Sequence, residues 1–322
     1  MAPGLLFTLL FITYSSLAQS FIDNYTPQSG SIRIGYNNTD TLSFNPIGYS
    51  VFGNSQLKNS KAVLITISDN VINAEESTMK QFKEELTLNN IAYLHISSGT
   101  PIDLFFTTSA FASIDSIISL AIENHNLQNK NIFFLGVMPD GHRALKYYEY
   151  IYKYNEPLTN QVKGIILCES AIDWVRQWNE AQKQIRDSLT EVGYCEGKMI
   201  SYLFAKNLNI NSSKETHKLI DFSSYSYFET EMKKPSMYKS LSIRAYTTAN
   251  TSYWFAGAGK GIYDCNFPDM QGFINEQRLI GNNNAQLIVF NNRKPKSILN
   301  QSSTWDNVDK IELINWILNK LK

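Results

Sequence analysis

The sequence predicts an α/β fold: a doubly wound, mostly parallel sheet interrupted by a helical cap insertion. Three observations carry that prediction. From Lys61 onward, short continuous apolar runs alternate with segments of helical spacing, the pattern of parallel strands covered on both faces by crossover helices. Between Glu169 and Lys239 the alternation gives way to a mainly helical stretch, and then it resumes. A length of 322 residues with 43% hydrophobic content suits one large domain carrying an insertion, and excludes a disordered or fibrous chain.

Taken in order, the elements begin with Met1 to Ala18, which read as a secretory signal peptide. The apolar run Leu5 to Ile12 is too short to span a bilayer, and Ser16 and Ala18 supply the small residues of a cleavage site. No Lys or Arg precedes that run, a departure from the usual pattern. The expectation is a chain exported to the periplasm or beyond, with no stable membrane insertion. Residues 19–60 are polar with short alternating segments, Ser31 to Gly35 and Thr41 to Phe44, and read as an N-terminal β-hairpin extension.

Residues 61–168 and 240–322 form the predicted core. Its strands are Lys61 to Ile67, Ile91 to Ile96, Asn131 to Leu135, Val162 to Leu167, Leu241 to Tyr246 and Ala285 to Phe290. Its helices are Glu75 to Leu88, Ala110 to Asn124, Gly141 to Tyr154, Asp264 to Leu279 and Asp306 to Leu321. Residues 169–239 are the cap, expected over the carboxyl ends of the strands, where such sheets bind ligands.

Charge and cysteine content narrow the partners. Lys plus Arg and Asp plus Glu are equal at 29 each, so no basic excess exists to neutralise phosphates and a nucleic-acid partner is not expected. Cys168, Cys195 and Cys265 allow at most one internal disulfide and fit no zinc spacing; small buried apolar roles suit at least two of them. No metal and no cofactor is expected.

The chemistry-bearing segment is the strand ending near Leu135, followed by Gly136, Val137, Met138, Pro139, Asp140 and Gly141 and then a helix. This strand, tight turn and helix resemble the nucleophile elbow of the α/β-hydrolase superfamily, whose motif is G-x-S-x-G. The likeness runs from Lys61 to Lys322 and includes the cap, Trp305 before the last helix, Asp309, and Trp316 within that helix. The resemblance is to esterase-like and prolyl-oligopeptidase-like members.

What the resemblance implies about catalysis is a degenerate triad. The nucleophile position holds Met138, a thioether with no proton to lose. Asp140 replaces the second motif glycine. Asn250 stands where the triad acid is implied, and an amide cannot stabilise an imidazolium by charge. No histidine follows the last strand, so the position is filled by a residue such as Ser303. The residue after the nucleophile, whose N–H serves the oxyanion hole, is Pro139, which has no N–H. Losing one such donor costs about 3–4 kcal/mol of transition-state stabilisation. Pro139 also biases Met138 toward extended backbone, so the elbow is expected to relax.

These observations imply a pseudo-hydrolase that binds a small apolar or peptide-like ligand, or a protein. The alternative is an active hydrolase using Asp140 as carboxylate nucleophile, with Gly141 supplying the oxyanion N–H; that mechanism still needs a histidine base after the last strand. Asp69, His142 and Trp254 are cleft candidates. His142 and Arg143 open the elbow helix and read either as an anion site or as solvated residues. Trp174 and Trp178, four apart, fit cap core better than a cleft wall. His95 and His125 read as structural histidines. Gly257 to Gly261 lacks the phosphate-loop spacing, and Lys294 to Lys296 reads as a solvated loop.

Overall fold

A computed structural model describes residues 19–69, 77–210, 215–231, 235–249, 255, 259–290 and 304–321. The signal-peptide segment, Asn250, Trp254, Ser303 and Lys294 to Lys296 lie outside the described residues.

The chain enters through strand β1 (Gln19–Thr26), the short hairpin β2 (Ser31–Arg33) and β3 (Thr41–Ser43), and β4 (Ile47–Asn54). Then the alternation begins: β5 (Ala62–Ser68), α1 (Ser77–Leu88), β6 (Ile91–Ser97), α2 (Thr108–Asn124), β7 (Asn131–Val137), α3 (Pro139–Tyr154), α4 (Glu156–Gln161) and β8 (Val162–Cys168). The insertion supplies α5 (Trp174–Asp187), α6 (Glu191–Leu208) and α7 (Thr216–Phe222). Strand β9 (Ser242–Thr248), α8 (Phe267–Leu279), β10 (Ala285–Phe290) and α9 (Lys310–Asn319) close the fold.

Eight strands form one sheet in the order β1-β4-β6-β5-β7-β8-β9-β10. β4 pairs antiparallel with both β1 and β6, and the remaining pairs are parallel. The sheet is therefore mixed but mostly parallel, with helices on both faces. On one face α2, α3 and α8 bury Ile114, Ile118, Tyr147, Ile151, Met270 and Phe273 against Val63, Ile65 and Phe134. On the other, α1 and α9 bury Phe82, Leu86, Leu313 and Ile317 against Leu64, Tyr93 and Phe133.

The 19–60 segment departs from the sequence reading in one respect. The β2–β3 hairpin forms as read, but β1 and β4 belong to the central sheet rather than to an extension of it. Polar residues on β1, a strand paired along one edge only, hide that membership from a hydrophobicity pattern.

Gly136 lets β7 and α3 cross at close range, and Gly141 lets α3 lie against the end of β8. A Cβ added at Gly136 would lie 2.2 Å from the Gly141 Cα, and one at Gly141 would lie 1.9 Å from the Ser170 Oγ.

Candidate functional site

The turn between β7 and α3 is not relaxed. Met138 has φ 55° and ψ −121°, a strained conformation for a residue with a side chain. Its N–H donates to the Cys168 carbonyl at 2.8 Å, extending the β7–β8 ladder, and its carbonyl accepts from Gly141 N–H at 3.2 Å. α3 starts immediately at Pro139, where a missing N–H costs nothing and a fixed φ suits the first helical turn. The expectation from Pro139 is therefore overturned: the ladder on one side and the helix on the other, pressed together through Gly136 and Gly141, outweigh the local preference of a pre-proline residue. Met138 remains 44% exposed at the tip, so Met138→Gly loses little burial and relieves the strain. We expect that variant to raise stability by about 1 kcal/mol, read from the urea midpoint at unchanged m-value.

Asp140 follows on the first turn of α3. Burial raises its carboxyl pKa to about 6, with the Arg143 guanidinium pulling it down and Asp69 pushing it up. Arg143 is itself fully buried, contrary to a solvated helix start, and it gathers three partners. Its Nη1 donates to Asp140, its Nη2 to Asp69 Oδ2 at 3.1 Å, and its Nε to the Asp103 carbonyl at 2.5 Å. Asp69 also accepts from Ile102 N–H at 2.6 Å. The structure thus brings Asp69 and Asp140 together around one arginine, in a clamp between the end of β5 and the start of α3.

His142 is buried as well, which corrects both of its sequence readings. Its Nδ1 accepts from Trp174 Nε1 at 3.0 Å, and its ring lies 5.1 Å from that of Trp174 and 4.9 Å from that of Phe222. An accepting Nδ1 places the proton of the neutral ring on Nε2. Trp174 and Trp178 sit in the cap core with Leu104, Phe204, Leu219 and Phe222. The cap packs directly onto the start of the elbow helix.

One residue of this region escaped the sequence reading. Glu169, at the end of β8, has φ 50° and is buried. Its carboxylate accepts from Thr304 Oγ at 2.6 Å, from Thr248 N–H at 3.1 Å and from Thr247 Oγ at 3.4 Å. An acid closing an apolar strand was the available signal, but Glu169 read as the first residue of the cap. Met138 and Glu169, both at positive φ, end neighbouring strands, and strain of this kind collects at functional sites.

Among solved structures the chain is similar to a prolyl endopeptidase, at 8% identity and a TM-score of 0.50, over 94% of this chain and 39% of that one. It is also similar to carboxyl esterase 2 of the mycorrhizal fungus Tuber melanosporum, at 12% identity and a TM-score of 0.50, over 95% and 89% of the two chains. The chain has the α/β-hydrolase fold. At these identities the likeness is one of fold. No family model matches the sequence, and no curated protein matches it.

The turn between β7 and α3 carries Met138 and Pro139, and Glu169 follows β8. The segment entering α9 contributes Thr304 to that acid. The other histidines lie elsewhere: His95 inside the sheet, His125 at the end of α2, and His217 on α7.

Cavities of about 440 and 370 Å³ open at the amino ends of β7 and β8, between Asn129, Pro157 and Gln161, at the opposite end of the strands from the elbow. Among the described residues no group of three His, Cys, Asp or Glu is arranged to hold a metal, and no helix is long and apolar enough to cross a membrane. Cys168 and Cys265 are buried and Cys195 is exposed, with no disulfide among them.

Proposed function

We propose that this chain is an exported pseudo-hydrolase, a protein of hydrolase fold that binds rather than turns over its ligand. The observation that carries the reading is Met138 at the tip of a strained elbow, followed by Pro139. A thioether supplies no nucleophilic oxygen, and proline supplies no N–H for an oxyanion. The ligand class this supports is a small apolar or peptide-like molecule, or a protein, meeting the exposed Met138 thioether at the strand ends. Export rests on the character of residues 1–18 in the sequence.

The competing reading makes Asp140 a nucleophile. Its ion pair with Arg143 tells against that role, because a carboxylate held by a guanidinium is a weaker and less mobile attacker. The test is turnover by the purified protein on a panel of short- and medium-chain aryl esters and aminoacyl amides, with Asp140→Asn in parallel. No turnover above buffer is expected from either protein. Turnover abolished in Asp140→Asn would replace this reading with a carboxylate nucleophile. Turnover retained by both would overturn it in favour of another site, once repurification has excluded a contaminating esterase.

A further inference from the structure

The cavities of about 440 and 370 Å³ lie at the far end of the strands from the elbow and adjoin one another. They are framed by the last turns of α2, the turn from α2 into β7, and α4 with the start of β8, and they share Asn129, Pro157 and Gln161. The larger falls within the usual size of a small-molecule site, roughly 300–1,000 Å³. Two local features shape them. Asn129 takes φ 61°, a left-handed conformation that asparagine tolerates, and so turns the chain into β7. Asn155 caps α4 by accepting from Leu158 N–H at 3.3 Å, while its amide donates to Asp115 at 3.1 Å.

The lining is rich in carboxamides. Beside Asn155, the side chains of Gln128, Asn129, Asn131, Asn160 and Gln161 border the two cavities. Among the described residues, no hydrogen bond engages the side chains of Gln128, Asn129, Asn131 or Asn160. Gln161 Nε2 donates to the Pro157 carbonyl at 3.1 Å, and its Oε1 is buried with no hydrogen-bond partner among the described residues. A buried acceptor left in that state costs as much as a lost hydrogen bond. Ile122 and Leu158, both largely buried, add an apolar floor to the larger cavity.

We propose that these adjoining cavities bind a neutral sugar. Charge selects against an ion. Glu123 borders the larger cavity and would repel an anion there. Lys130 and Lys163 border the smaller and would repel a cation, and Lys163 already donates to the Asn160 carbonyl at 3.1 Å. A wholly apolar molecule would strip water from the carboxamides and return no hydrogen bond. A sugar hydroxyl both donates and accepts, and so does a carboxamide, so the two match group for group. The apolar floor suits the C–H face of a sugar ring, and one hydroxyl supplies the donor that Gln161 Oε1 lacks. The site is remote from the elbow and stands whether or not the elbow is catalytic.

Saturation-transfer NMR on the purified protein tests the site. The probes are glucose, galactose, mannose, N-acetylglucosamine and cellobiose, with diglycine as a zwitterion that could use Glu123 and the two lysines instead. Transfer to at least one sugar is expected. Gln161→Ala and Asn129→Gly each remove one carboxamide and should weaken that sugar's affinity roughly threefold to tenfold. Glycine adopts the positive φ of position 129 freely, so Asn129→Gly keeps the turn even if Gln161→Ala disturbs α4. No transfer to any of the sugars would overturn the proposal. So would transfer that neither variant weakens, which places the sugar elsewhere on the protein. Transfer to diglycine in place of the sugars, weakened by the variants, would overturn it in favour of a site for peptide termini.

Discussion

Arg176→Met is expected to destabilise the folded chain by about 3–5 kcal/mol at pH 8, because it strips the counter-charge from a buried carboxylate. Arg176 on α5 donates to Asp269 on α8 through Nε at 2.5 Å and Nη2 at 2.7 Å, and to Asn266 at 2.7 Å. Only 3% of the Asp269 side chain is exposed. Alongside it Lys260 reaches Glu180 at 2.5 Å, so the first cap helix is fastened to the core by paired charges.

The loss should depend on pH in a defined direction. Burial already raises the Asp269 pKa to about 6, from an ordinary 3.8, with Arg176 opposing the rise. A folded-state pKa above the unfolded one means the native chain holds a proton that the unfolded chain releases. Stability from this group is therefore full below about pH 4 and falls as pH rises through about 6. Without Arg176 the carboxyl is raised further, and the fall extends to higher pH. Urea unfolding at pH 5 and pH 8 should show a smaller loss at pH 5, where Asp269 is more readily neutralised. A loss equal at both values would mean that Arg176 acts through packing of its alkyl stem rather than through charge.

The second large effect is expected at Trp174→Ala, also about 3–5 kcal/mol. Trp174 is 4% exposed and its ring lies 5.2 Å from Phe204, 5.8 Å from Phe222 and 5.1 Å from His142. The substitution leaves a cavity at the seam between cap and elbow helix and removes the indole N–H from His142 Nδ1. Trp174→Phe separates these contributions: it keeps most of the aromatic area and loses the N–H, at a cost of about 1–2 kcal/mol. Hydrogen exchange at the first turns of α3 should accelerate in the Ala variant. Loss below about 1 kcal/mol would show that the cap core closes over the gap.

The readability of the chain followed burial. Ala62–Ser68, Ile91–Ser97, Asn131–Val137 and Val162–Cys168 were legible within a residue or two, because strands covered on both faces must be apolar throughout. β1 was hidden by its exposed edge position, and β4 by glycine and polar residues. The starts of α8 and α9 moved inward from the sequence reading for local reasons. Pro268 falls in the first turn of α8, and Asp309 caps α9 by accepting from Ile311 and Glu312 N–H at 3.0 Å each.

The candidate site divides along the same line. Sequence alone established the α/β alternation, the cap insertion, Met138 and Pro139 at the turn, and the lack of histidine after the last strand. Those are properties of residue type and order. Only the tertiary structure decided that Met138 keeps its positive φ, that His142 and Arg143 are buried, that Asp69 and Asp140 share one guanidinium, and that Glu169 reaches Thr304. Each of these depends on contacts across tens of residues, where packing against a distant segment outweighs the preference of the residue itself.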